Sequence, residues 1–211
     1  MERHGVEAAV LHVFYLVGIA AFAASGVLAA HEARLDPFGG LVLAFAASIS
    51  GGTLRDLILG RHPLYWTHDW VLLAVIASVA VSTMLFLRRR ELPRRALMTV
   101  DAVGLAVVTV IGARAAVDAG VTPFAVVMLA VLTGVTGEVV RDLLCGQFPP
   151  ILLREEIYAT AAVAGACCYL ILHRSGAGAA VTVVVPAALV FTVRMAALYF
   201  GLHLPRLARA R

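Results

Sequence analysis

The stretch Ser50-Gly51-Gly52-Thr53-Leu54-Arg55-Asp56-Leu57-Ile58-Leu59-Gly60 returns 86 residues later as Thr136-Gly137-Glu138-Val139-Val140-Arg141-Asp142-Leu143-Leu144-Cys145-Gly146. Each copy sits in an apolar run that opens on a capping residue and a proline, Asp36-Pro37 and Thr122-Pro123. A side-chain acceptor followed by a ring already held at helical φ marks the start of a helix. At 1.5 Å per residue, the small-residue motif then falls about 20 Å along that helix. That is deep inside a hydrocarbon core about 30 Å thick.

The rest of the chain agrees with a membrane setting. Hydrophobic residues make up 62% and charged residues 14% of 211, with a mean hydropathy of +0.94. Soluble domains run about 45–50% apolar and about 25% charged. This balance excludes a water-soluble globular domain, a disordered chain and a disulfide scaffold. At about 20 residues per span, the length allows about seven spans and no separate enzymatic domain. The net charge of +4 gathers where spans end, so it points to neither nucleic acid nor an acidic ligand. The three cysteines, Cys145, Cys167 and Cys168, lie in apolar surroundings and read as inert.

Apolar stretches over 8–30, 37–59, 70–87, 96–117, 123–145, 156–173 and 179–201 predict seven spans. The first is too long, and its start too weakly basic, for a cleaved leader. The connection after the third span holds Arg88, Arg89, Arg90, Arg94 and Arg95, and the tail adds Arg206, Arg209 and Arg211. Arginine marks the cytoplasmic side, so the expected orientation is N-terminus outside and C-terminus cytoplasmic, in a bacterial plasma (inner) membrane.

With the 86-residue offset, 15–72 aligns with 101–158 without a gap, and 17 of the 58 positions are identical. Gly18/Gly104, Gly26/Gly112, Pro37/Pro123, Gly51/Gly137, Arg55/Arg141, Asp56/Asp142, Gly60/Gly146 and Pro63/Pro149 are among them. Each unit holds three spans, and an odd number inverts the second unit relative to the first. The expectation is an all-α integral membrane protein of one transmembrane domain. It comprises repeat 1 over 8–90, repeat 2 over 94–174 and a seventh helix over 179–201. Inverted repeats place an ion or solute pathway at their interface.

Glycine at matching depth in both repeats predicts that helices 2 and 5 break there and line the pathway, since freed backbone groups survive only inside protein or beside water. The candidate lining residues are Ser50, Gly51, Gly52, Thr136, Gly137 and Glu138. Close helix packing is the competing reading of the glycines. Arg55-Asp56 and Arg141-Asp142 should lie at opposite ends, either as buried pairs locking the helices or in contact with a permeant ion. Successive helical residues point about 100° apart, so each Arg and Asp is expected to anchor to a neighbouring span or a loop carbonyl. Glu138 can pair with Arg141 at i,i+3 or act as a cation-attracting carboxylate. Asp101, where the first repeat has Tyr15, and Arg194, alone in the seventh span, complete the charged set. Tyr65, Trp66 and Trp70 fit an interfacial aromatic belt. His62 and His68 lack a second pair at ligand spacing, so no metal site is assigned, and no motif supports catalysis.

At these residues the chain resembles a known family. The run from Ser50 to Trp66 is similar to a first signature, Gly-Gly-Gly-x-x-Arg-Asp followed by Gly, Pro and Trp. The run from Thr133 to Ala161, with Arg141-Asp142 and Arg154-Glu155-Glu156-Ile157-Tyr158, is similar to a second. These belong to the prokaryotic trimeric intracellular cation (TRIC) channels, some of whose bacterial relatives are labelled glycine transporters. The resemblance covers about residues 10–200. It implies a homotrimer with a separate pore through each protomer, conducting K⁺ and, less selectively, Na⁺. No cofactor, nucleic acid or soluble partner is expected, only membrane lipids. The chain departs from the family's glycine triplets at Ser50, Thr136 and Glu138, and Tyr15 stands where an Asp is usual. A secondary carrier for glycine or a similar amino acid is the alternative, with Arg55 or Arg141 binding a carboxylate.

Overall fold

The computed structural model describes residues 2–89, 94–149 and 158–201, without the side chains of 2–10 and 94. Arg90, most of the run Arg154-Glu155-Glu156-Ile157-Tyr158 and the arginine-rich tail lie outside the described residues. The fold is all-α: α1 (Glu2–Glu32), α2 (Pro37–Ile58), α3 (Trp70–Leu87), α4 (Arg94–Asp118), α5 (Pro123–Leu144), α6 (Ala159–Arg174) and α7 (Ala179–Phe200). Six of these are long and apolar enough to cross a membrane, and α6 is a shorter apolar helix of 16 residues. The chain is a multi-pass membrane protein.

The predicted helix starts are present. Asp36 caps α2 by accepting from Gly39 N at 2.7 Å, and Thr122 caps α5 by accepting from Ala125 N at 3.4 Å. The helix ends match as well. Gly60 and Gly146 adopt φ of 64° and 68°. Gly60 N donates to Leu57 O and Arg61 N to Asp56 O, while Gly146 N donates to Leu143 O and Gln147 N to Asp142 O. This is the paired 5→2 and 6→1 closure that a left-handed residue permits, and glycine adopts that conformation without a Cβ penalty.

Helices α1 and α4 form the central pair, α2 crosses α5, and α6 and α7 pack on the second repeat. Glycine sets the closest approaches. A methyl on Gly18 would meet Val107 and Val108, and one on Gly104 would meet Phe22 at 3.1 Å. Phe22 and Val108 are themselves an offset pair, so the two contacts are one contact seen twice. A rotation that exchanges the repeats relates them, as an inverted duplication requires.

The expected break in helices 2 and 5 is corrected: α2 and α5 run as continuous helix through both glycine motifs. The glycines serve the crossing instead. A Cβ on Gly51 would fall on the Thr133 carbonyl oxygen, and one on Gly137 would lie 2.5 Å from the Ala47 carbonyl oxygen. Ala47 and Thr133 are again an offset pair. Without side chains at Gly51 and Gly137, the two backbones can touch, as small residues allow between membrane helices. The helix penalty of glycine is outweighed there by interhelical contact, so no backbone group needs freeing.

Candidate functional site

Two vestibules lead in from opposite ends of the helix bundle. The first is lined by Tyr15, Arg55, Arg61, Tyr65, Asp69 and the α4 residues Ile111, Arg114, Ala115 and Asp118. The second is lined by Ala29, Glu32, Leu97, Met98, Asp101, Glu138, Arg141, Asp142, Gln147 and Arg194. Tyr15/Asp101, Arg55/Arg141, Arg61/Gln147, Ala29/Ala115 and Glu32/Asp118 are all offset pairs, so the two vestibules are the same construction built twice. Between them lies the α2–α5 crossing at Gly51 and Gly137.

At the first end, Arg55 bonds Asp56 directly: its Nε and Nη2 donate to Asp56 Oδ1 at 2.9 and 2.8 Å. The second repeat does the same, with Arg141 Nε donating to Asp142 Oδ1 at 2.8 Å. The expectation that these neighbours would turn to separate partners is therefore corrected. A long guanidinium can fold back over its own turn, and in a buried site its carboxylate neighbour offsets part of the cost of desolvation. The anchors to other segments exist in addition. Asp56 Oδ2 accepts from Tyr65 N at 3.3 Å. Arg141 Nη1 donates to Asp101 Oδ1 on α4 at 2.7 Å and to Ser25 Oγ on α1. Its Nη2 reaches Glu138 Oε1 at 3.4 Å, the i,i+3 pairing the spacing allows.

Arg194 is 2% exposed and lies over the Tyr158 ring, 4.6 Å from its centroid. A cation over an aromatic face gains from the ring quadrupole, more so away from water. The structure thus brings Asp101, Glu138, Arg141, Asp142 and Arg194 into one cavity and places Arg55 and Asp56 at the far end.

The hydroxyls divide. Thr136 Oγ1 donates to Leu132 O at 2.6 Å on its own helix. Ser50 Oγ is buried without a hydrogen-bond partner among the described residues. Gly52 and Gly137 are buried, the former under the Tyr65 ring, whose Cε1 would sit 2.5 Å from an added Cβ.

Tyr65 and Trp66 do not form the expected aromatic belt. Tyr65 packs edge-on to Tyr15 with centroids 5.9 Å apart and lies 5.5 Å from the Arg55 guanidinium. Trp66 donates from Nε1 to Thr53 Oγ1 at 2.9 Å and packs on Phe45. Both rings fold inward because Gly52 leaves space and Thr53 offers an acceptor. Trp70 alone is strongly exposed. Cys145, at the C-cap of α5, has its thiol pKa pushed up by partial burial, in keeping with an unreactive role. Among the described residues no cluster of metal-ligating side chains occurs. Sequence reasoning passed over Ser25, Glu32 and Gln147. A serine opposite Ile111 in the offset alignment was a usable signal; nothing local marked the others.

An inverted-repeat membrane bundle with a charged vestibule at each end is the architecture of a membrane transport protein. A profile of the family described as glycine transporter matches twice, over 12–88 and 98–174. The UPF0126 inner membrane protein YadS of Escherichia coli is 44% identical over 151 residues, 71% of this chain and 72% of that protein. A UPF0126 membrane protein of Vibrio cholerae is 34% identical over 96% of this chain and 85% of its own. The trimeric intracellular cation channel orthologue from Rhodobacter sphaeroides superposes with a TM-score of 0.86 at 35% identity, covering 92% of this chain and 99% of that one. A prokaryotic TRIC channel crystallised in 0.5 M KCl gives 0.86 at 27% identity, covering 91% and 97%. The chain belongs to the prokaryotic TRIC family, the same family that carries the glycine-transporter description.

Proposed function

We propose that the protein is a passive monovalent-cation channel, conducting K⁺ in preference to Na⁺ through one pore in each protomer of a homotrimer. The observation that carries this reading is the pair of matching vestibules at opposite ends, with the glycine crossing of α2 and α5 between them. Ser50, Gly51, Gly52, Thr136, Gly137 and Glu138 would line the narrow middle. Arg55, Asp56, Arg141, Asp142, Asp101 and Arg194 would flank it as structural and gating charges. The likeness to TRIC structures supports the trimer and the cation selectivity. The inner-membrane name of YadS supports the same location here. The arginine-rich connection after the third span favours the N-terminus outside, with the vestibule of Asp101 and Glu138 facing the cytoplasm. The repeats would span 8–90 and 94–174, followed by the seventh helix. K⁺ and Na⁺ enter as permeant ions; the reading calls for no catalytic step, cofactor or soluble partner.

The family's glycine-transporter description favours a second reading, a carrier for a small amino acid. A carrier would need a guanidinium available to a substrate carboxylate. Arg55 and Arg141 are each already engaged by buried carboxylates at 2.7–2.8 Å, which weighs against it. Planar-bilayer recording under a KCl gradient separates the two. Unitary currents reversing near the K⁺ equilibrium potential support the channel. Silent bilayers with saturable glycine uptake into liposomes would instead establish the carrier.

A further inference from the structure

Tyr65 lines the first vestibule and at the same time covers Gly52. Its Cε1, Cζ and Oη lie 2.5, 2.8 and 2.9 Å from where a Cβ on Gly52 would be. The hydroxyl reaches along α2, donating at 3.5 Å toward Ser48 O and at 3.4 Å toward Ile49 O. A phenol lies this close to helix backbone only where the helix lacks a side chain, which is what Gly52 supplies. The second repeat has Glu138 in place of Gly52 and Ile151 in place of Tyr65, so its sequence cannot repeat the contact.

The loop that carries the ring is tied down on three sides. Arg61 Nη2 donates to Ala115 O on α4 at 2.9 Å, Tyr65 N to Asp56 Oδ2 at 3.3 Å, and Trp66 Nε1 to Thr53 Oγ1 at 2.9 Å. The ring is held less firmly than the loop. Both hydroxyl bonds are longer than the usual 2.5–3.0 Å for an O–H donor and an oxygen acceptor. Its other partners are the Tyr15 ring, with centroids 5.9 Å apart, and the Arg55 guanidinium at 5.5 Å. Tyr65 is only half-buried, and the vestibule it borders has a volume of about 290 Å³. Side chains occupy discrete staggered wells, so the ring can leave Gly52 in a single step while the loop backbone stays in place.

We infer that Tyr65 is a side-chain gate: on Gly52 the ring shuts the first vestibule off from the α2–α5 crossing, and turned into the vestibule it uncovers that path. The inference rests on the channel reading in that ions pass by way of Gly52. The gate belongs to the first repeat alone, which makes the two vestibules unequal.

Two readouts on the purified full-length protein test this. In planar bilayers under symmetric KCl, Tyr65→Phe keeps the ring and loses the hydroxyl bonds. It should raise the ratio of open to closed time roughly two- to tenfold, and Tyr65→Ala should abolish long closures. A ratio that is unchanged or lower in both variants overturns the gate. The second readout needs no current. Ser48 lies one turn from Gly52 on the same face of α2 and is 4% exposed. In Ser48→Cys, labelling by a cationic methanethiosulfonate, read by mass on the labelled peptide, should be slow with Tyr65 present. It should be several-fold faster in assembled Tyr65→Ala, or in Tyr65→Phe if the alanine variant does not assemble. Equal labelling with and without the Tyr65 substitution overturns the gate. Silent bilayers with labelling that depends on Tyr65 would remove the channel reading and keep the gate. Currents and labelling that both ignore Tyr65 would do the reverse.

Discussion

Gly137 of α5 rests against the carbonyl oxygen of Ala47 in α2, and 86 residues earlier Gly51 rests in the same way against the carbonyl oxygen of Thr133. The crossing of the two repeats is thus a backbone contact made twice, with no side chain between. That contact ties the two halves together.

Replacing either glycine should therefore act on stability as well as on flux. Gly137→Ala forces a methyl to 2.5 Å from a carbonyl oxygen that cannot swing away. Overpacking of this kind costs about 1–3 kcal/mol. The variant should melt earlier in detergent, and Gly137→Leu should in addition abolish current. A leucine variant with wild-type melting and current would show that the helices do not touch there.

Asp101 and Arg141 form a charge pair with side chains 3% and 5% exposed. Removing one partner from an isolated buried pair costs on the order of 3–5 kcal/mol, and here the loss is smaller because Asp142 and Glu138 stay on the guanidinium. Asp101→Asn should lower the melting temperature. Ser25→Ala removes one neutral contact to the same guanidinium and should cost about 1 kcal/mol. Equal effects from the two would mean that the pair is not the stronger anchor.

Tyr65 and Gly52 should be coupled. The ring occupies the space a side chain at position 52 would need, so Gly52→Ala should destabilise the wild type. In a Tyr65→Ala background the same change should be nearly neutral. A double-mutant cycle on melting temperature reads this coupling, and direct neighbours give about 0.5–3 kcal/mol. Additive effects would remove Tyr65 from the wall of the first vestibule.

Gly60 and Gly146 close α2 and α5 with left-handed backbone and open space around the missing Cβ. Alanine at either position should cost about 1–2 kcal/mol from conformation alone. The two losses should match, and asparagine should recover part of each. A loss much larger at one site would show that the two helix ends are not built alike.

The Cys145 thiol, with its pKa pushed up by partial burial, carries less thiolate at neutral pH than an ordinary cysteine. Alkylation by iodoacetamide should be slow at neutral pH and accelerate only at more alkaline pH than a free thiol requires. Reaction at the rate of a solvent thiol would contradict its packing.

The chain itself determined the number of helices, their starts at Pro37 and Pro123, and the inversion of the second repeat. These follow from apolar length, capping chemistry and an odd span count, all local properties or simple counts. What the glycine motifs do was decided only in three dimensions. A glycine in a membrane helix fits a break or a contact equally well, and the choice depends on what lies opposite, here the carbonyls of Ala47 and Thr133. The same holds for the charges. That Arg141 reaches Asp101 and Ser25, and that Arg194 lies over Tyr158, depends on α1, α4, α6 and α7 meeting in space. Partners 40 and 116 residues from Arg141 leave no trace in the local pattern. The two unequal vestibules combine both kinds of information: the offset pairs are written in the sequence, and only the fold brings them around one cavity at each end.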